Sequence, residues 1–380
     1  MRAASYFVNV MRSTRGGNPF DPVAVREEAL RCRAWLAAEL DRPEVGSHEL
    51  RLDQAEVEID NLRLAFAWSR ENAHAAEALT LASALQPLWL ARGHIREGVR
   101  WLETALSDSD ADTLRAHRAR ALADKAIIEP FVFAGNAEHA EEALVIARGL
   151  EDPALVARAL TANGCIRGHN AEDAQPYFAE ALLHANVVND AWLVSRILGW
   201  QAYGAMMMGN PRAALAAAEE GLRFADSIGD GFVSRQCRWC LGLAQMFRGD
   251  LCGALDSLES TAREADAAHD LMWLGMARSS QGWALAFLGR DGKSLNRALY
   301  FGQCVNHRFG AFDAQQFGEM FLGFLKFVGN KLQGQGSFVG RQLTASRFRL
   351  FGCYYRFIEN LFVSEVRPGV RFACELVGNR

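Results

Sequence analysis

The chain has 380 residues, half of them apolar, with a formal net charge of −4 and a pI near 6.2. That is material for two or three domains or one long solenoid, and it excludes a wholly disordered chain. The slightly acidic balance argues against a dedicated nucleic-acid binder, and no uncharged run approaches the roughly 18 apolar residues of a membrane span.

Residues 1–50 are expected to form an N-terminal helical segment. Its opening MRAASYFVNVMRSTRGG is too interrupted for a signal peptide, and Gly16-Gly17-Asn18-Pro19 marks a turn with little periodicity before it, so the first 20 residues should pack poorly. With no export signal, the eight scattered cysteines read as reduced thiols of a cytoplasmic protein.

From 51 to 290 the chain repeats. Three blocks align without a gap at a period of 40, beginning at Ala191, Gly231 and Leu271. Each carries a mid-block glycine, at Gly209, Gly249 and Gly289, and the same feature appears upstream at Gly93, Gly135 and Gly168. Each block reads as about 18 residues of helical periodicity, a glycine turn, and a second amphipathic helix. Glycine suits the left-handed residue that ends a helix, and Pro211 then sits where its missing N–H is not needed. Ala140, Ala214 and Ala254 follow their turn glycines by five residues and Ala174 follows Gly168 by six, where small side chains let the paired helices approach. Such a pair cannot bury its apolar face alone, so stacking is obligatory. The expected fold is therefore all-α, a helical-repeat solenoid with turns at those six glycines.

The pattern resembles the tetratricopeptide class: a glycine in the first helix (Gly242, Gly282), one at the turn, and an alanine five residues later, with Ala202 and Thr161 as departures. The 40-residue period resembles the longer variant in the solenoids of large ATPase-type bacterial transcription regulators. The phrases Glu56-Val57-Glu58-Ile59-Asp60-Asn61-Leu62-Arg63 through Trp68-Ser69, Leu88-Trp89-Leu90-Ala91-Arg92-Gly93-His94 and Glu97-Gly98-Val99-Arg100-Trp101-Leu102 resemble the region just after the ATPase module in actinobacterial LuxR-type regulators. That resemblance covers roughly residues 20–290. It implies the sensor and interaction arm of a signalling ATPase that controls transcription. The family's other parts find no match in this chain. The nearest approach to a phosphate-binding G-x-x-x-x-G-K-[ST] loop is Gly289-Arg290-Asp291-Gly292-Lys293-Ser294, where Phe287 stands for the first glycine and no strand precedes it. No four-helix DNA reader is evident either.

Residues 291–380 break the pattern. They hold 13 of the 23 Phe, 12 of the 33 Gly and none of the nine Trp, and their charge is +6, from 12 basic and 6 acidic residues. This basic, Phe/Gly-rich tail reads as out-of-family sequence, of the kind a frameshift or gene decay joins to a family chain.

Catalytic signals are lacking. Cys237-Arg238-Trp239-Cys240 is a CxxC inside a helix pattern with no second ligand pair, so packed thiols are expected. No HExxH, GxSxG or paired-carboxylate arrangement stands out, and the expectation is a non-enzymatic chain without cofactor or metal. The partner should be a protein, a peptide or a small inducer in the concave groove lined by the first helix of each unit, with no membrane and no direct nucleic-acid contact. The 40-residue register places Tyr203, Leu243 and Trp283 at one equivalent position, Arg196, Gln236 and Met276 at another, and Gly199, Trp239 and Ser279 between them. In the tetratricopeptide family these positions face the groove. Tyr203, Trp239 and Trp283 would supply flat apolar contact, with Arg196 and Gln236 as polar anchors. The alternatives left open are a free-standing protein-binding scaffold, and aromatics that simply pack between helices.

Overall fold

The computed structural model describes residues 48–288 apart from 111, 133–134, 168–170 and 208–209. The N-terminal segment up to 47, the tail after 288, and the expected turns at Gly168, Gly209 and Gly289 lie outside the described residues.

The described chain is all-α and contains no strand. Its helices are α1 (His48–Val57), α2 (Ile59–Glu71), α3 (Ala75–Ala84), α4 (Gln86–Ala91), α5 (Ile95–Ser107), α6 (Arg115–Ile128), α7 (Ala137–Leu150), α8 (Pro153–Ile166), α9 (Ala171–Val187), α10 (Ala191–Met207), α11 (Pro211–Ile228), α12 (Gly231–Phe247), α13 (Leu251–Ala267) and α14 (Leu271–Phe287), with a 3-10 turn at Glu129–Val132 between α6 and α7. The first helices of the three repeats, α10, α12 and α14, are each 17 residues long and start 40 residues apart.

Capping chemistry sets that period. Asp190, Asp230 and Asp270 each turn a carboxylate oxygen onto the backbone N–H three residues on, at 3.0–3.1 Å. This satisfies one of the bare donors at a helix start. The residue before each aspartate is left-handed: Asn189 at φ 51°, Gly229 at 75° and His269 at 52°. The turn within a unit uses the same device, with Gly93 at φ 74° and Gly249 at 92°. A glycine adopts this conformation without the steric cost any side chain bears. One helix departs from the simple pattern. The first helix of the unit that turns at Gly93 is broken into α3 and α4 at Leu85, because Pro87 has no N–H to continue the ladder.

Consecutive helices pack as pairs, and the first helices of successive units, α8, α10, α12 and α14, also pack on one another. The small residues do what their spacing predicts: Ala140, Ala174, Ala214 and Ala254 are all fully buried between paired helices. A first-helix glycine is equally constrained, since a Cβ on Gly242 would press on the Leu258 side chain of α13. The array does not end open. Helix α14 packs on α4, and α1 packs on α4 as well, so the last described unit meets the first.

Candidate functional site

The closure is built from two buried arginines. Arg92 caps the C-terminus of α4 and is fully buried. Its Nε donates to Glu56 Oε2 at 2.8 Å and its Nη2 to Asp53 Oδ1 at 2.6 Å, while Nη1 donates to the carbonyls of Ala268 and His269, both at 3.0 Å. One guanidinium thus joins α1, α4 and the loop that begins the last unit. Arg235, near the start of α12, donates from Nε to Asp270 at 2.8 Å and from Nη2 to Glu49 at 2.7 Å. Glu49, Asp53 and Glu56 lie at i, i+4 and i+7 along α1, which places three carboxylates on one helical stripe. Asp53 and Glu56 also approach His269. Arg92 already occupies both carboxylates, so the trio reads as an ion-pair network.

His48 opens α1 and is buried against the Trp192 ring, at 5.2 Å between centroids. Burial, then the nearby charges of Arg196, Arg235 and Arg92, push its imidazole down to about 3, so it is neutral at physiological pH. Asp230 is also buried. Burial raises its carboxyl above the usual range, against the opposing pull of Arg196, the Val233 N–H and the Ser195 hydroxyl.

Beyond this clasp the inner faces of α10, α12 and α14 carry a continuous aromatic cluster. Tyr203 lies 5.8 Å from Trp239, 6.1 Å from Trp273 and 5.7 Å from Trp200, and Phe131 of the 3-10 turn reaches Trp200 and Tyr203 at 5.9 and 6.0 Å. Trp273 also contacts Trp239 and Phe232, at 5.6 and 5.7 Å.

The expected groove residues divide. Tyr203 and Trp239 come together. Trp239 is a core residue, 1% exposed, and its indole N–H donates to Ser280 Oγ at 2.9 Å and to the Met276 carbonyl at 3.2 Å. Gln236 is fully buried, with its side chain over Gly199. Arg196, Tyr203, Met276 and Trp283 are half-buried, Ser279 is buried, and Leu243 is core. Burial raises the Tyr203 phenol. It also pushes the Cys237 thiol up to about 12 and holds Cys240 higher than an ordinary thiol, so the CxxC pair stays protonated at neutral pH.

Register alone did not reveal His48, Glu49, Arg92, Arg235 or Trp273. The one available signal was the recurrence of Asp190, Asp230 and Asp270 at the unit boundaries. It announces helix starts, but not that Asp270 receives an arginine from the neighbouring unit.

No family model matches the chain. Over 263 residues, 67% of the chain, it is 46% identical to HTH-type transcriptional regulators of Mycobacterium bovis and of two strains of Mycobacterium tuberculosis, whose name is provisional. The chain spans 30% of the length of those relatives. Among the described residues no helix is long and apolar enough to cross a membrane.

Proposed function

We propose that the chain is the sensor and coupling arm of a transcriptional regulator of the LuxR type, acting without catalysis of its own. The observation that carries this reading is the 46% identity to HTH-type regulators over two thirds of the chain. The closed helical array supports it physically. An arm that senses must have an interior that can be engaged and a frame that transmits the engagement, and stacked repeat units joined end to end by ion pairs supply both. Reading of DNA and any nucleotide hydrolysis would then belong to partner domains. The alternative, a free-standing scaffold that holds a peptide in an open groove, is less favoured, because two of its expected groove residues, Gln236 and Trp239, are buried.

The test is genetic and biochemical. Deletion of the gene, restored by the chain in trans, should change a limited set of transcripts. The tagged chain should also co-purify with a protein carrying a helix-turn-helix domain. Unchanged transcripts under all growth conditions, with no such partner recovered, would overturn the assignment.

A further inference from the structure

Helix α1 sits lightly on the array. It buries only His48, Leu52 and Ala55, and its other side leaves Leu50 and Val57 exposed. Neither ring nitrogen of the buried His48 meets a hydrogen-bond partner, which weakens the docking. The rest of the hold is charge. Glu49 pairs with Arg235, and Asp53 and Glu56 pair with Arg92, all three acids being partly exposed and open to screening by salt. The contact with α12 is nevertheless specific, because Glu49 lies against Gly231, where a Cβ would collide with its carboxylate. The break before α2 supplies a hinge. Glu58 stands at φ −91° and ψ 7°, while its N–H still donates to the Gln54 carbonyl at 3.1 Å and the Leu62 N–H to the Glu58 carbonyl at 3.0 Å. A rotation at this residue lifts α1 and leaves both helices intact.

We propose that the seat of α1 is a docking site for an acidic amphipathic helix of a partner protein, and that α1 is its resident occupant, a strap that such a helix displaces. The charge of the seat selects this class. Both carboxylates that meet Arg92 among the described residues come from α1, and Arg235 takes one from α1 beside Asp270 of the array. Arg196 adds a positive charge near His48, and Asp230 a negative one near Arg196 and Arg235. Without α1 the seat holds three arginines against two carboxylates, and Arg92 and Arg235 are buried in the folded array. Leaving a buried guanidinium unpaired costs far more than exchanging one carboxylate for another, so α1 departs as an incoming acid arrives. The spacing is that of α1 itself, with acids at i, i+4 and i+7 and a leucine at i+3, as in Glu49, Leu52, Asp53 and Glu56. A partner with an apolar residue in place of His48 would seat more tightly against the Trp192 ring, since it brings no bare imidazole.

The experiment uses the intact chain and a labelled synthetic peptide of residues 48–60. In the chain, Glu49→Gln, Asp53→Asn and Glu56→Gln together keep the shape of α1 and remove its charge. The peptide should bind this variant at least about tenfold more tightly than wild type, whose own α1 competes at an effective concentration of about millimolar. The same three changes made in the peptide should abolish binding, and His48→Leu in the peptide should tighten it about tenfold. Hydrogen exchange of the wild-type chain gives a second reading that depends on no variant. Amides of α1 should exchange faster than those of α12, through local opening. Gly231→Ala should speed α1 further without speeding α12, because the added Cβ pushes on Glu49. Absence of peptide binding to the charge-free variant overturns the proposal, as does equal binding of the acidic and neutral peptides. Exchange of α1 in step with α12 in the wild type overturns it too, even if the variant does not fold. A wild-type chain whose mass doubles with concentration while α1 stays protected would put a second copy's α1 in the seat and overturn the assignment to a partner. The seat is read independently of the regulator assignment: unchanged transcripts leave the titration standing, and a silent titration leaves the transcript test standing.

Discussion

His48 carries a proton problem that solution chemistry can read. Its folded pKa is about 3, against 6.5 for a free imidazole, with burial as the first cause and Arg196, Arg235 and Arg92 adding to it. As pH falls below 6.5 the unfolded chain takes up a proton that the folded chain refuses. The full stability is thus present above pH 6.5 and drains away toward pH 3, with a limiting slope of about 1.4 kcal/mol per unit. Between pH 6.5 and 5 the loss from this one residue should reach about 2 kcal/mol. Urea midpoints of wild type and His48→Leu at several pH values isolate the effect, because other titrating groups cancel in the difference. A difference that stays flat from pH 7 to 4.5 would show that His48 is reachable by solvent. Arg92 makes a second residue-scale prediction. Arg92→Ala leaves two carboxylates and two carbonyls without their donor, and because Asp53 is half-exposed the cost should be about 3 kcal/mol by denaturant titration.

At the scale of elements, the repeat is held in phase by left-handed residues followed by capping aspartates, and the left-handed positions are not equivalent. Gly229→Ala puts a Cβ at φ 75° and should cost about 1 kcal/mol, whereas Asn189→Gly relieves a strained residue and should gain up to about 1 kcal/mol. Thermal melts of the two variants should move in opposite directions. Asp230→Ala loses more than a cap, since its carboxylate also accepts from Ser195 Oγ at 3.0 Å. A loss of about 2 kcal/mol is expected, the upper end for caps. The 40-residue spacing, the turn glycines and the small residues between paired helices are all legible in the sequence, because periodicity and capping act within a few residues of the chain. The break at Leu85 is equally available from Pro87, yet the helical periodicity on either side hides it.

Among the described residues, closure joins the packing of α14 on α4 to the ion pairs of α1. Helix α1 buries only His48, Leu52 and Ala55, while Glu49, Asp53 and Glu56 carry its ties to Arg235 and Arg92. Partly exposed ion pairs weaken as salt rises, so the clasp should be the first contact to yield. The double variant Arg92→Met, Arg235→Met is expected to raise the radius of gyration measured by small-angle scattering at unchanged helix content. A variant as compact as wild type would show that packing of α14 on α4 suffices to close the array.

The sequence by itself determined that the described chain is all-α, that the units starting at Ala191, Gly231 and Leu271 are 40 residues apart, and where turns such as Gly93 and Gly249 fall. These follow from side-chain size, helical period and backbone conformational cost, all of them local. Only the tertiary structure decided what the inner faces of those units meet. Arg92 reaches Ala268 across 176 residues and Arg235 reaches Glu49 across 186, and no periodicity encodes such a meeting. The register placed Tyr203, Gln236 and Trp239 at neighbouring positions, but it could not say that the Trp273 ring packs against Tyr203 and Trp239. Whether a polar side chain there is a solvated anchor or a bare buried amide depends on which distant element desolvates it.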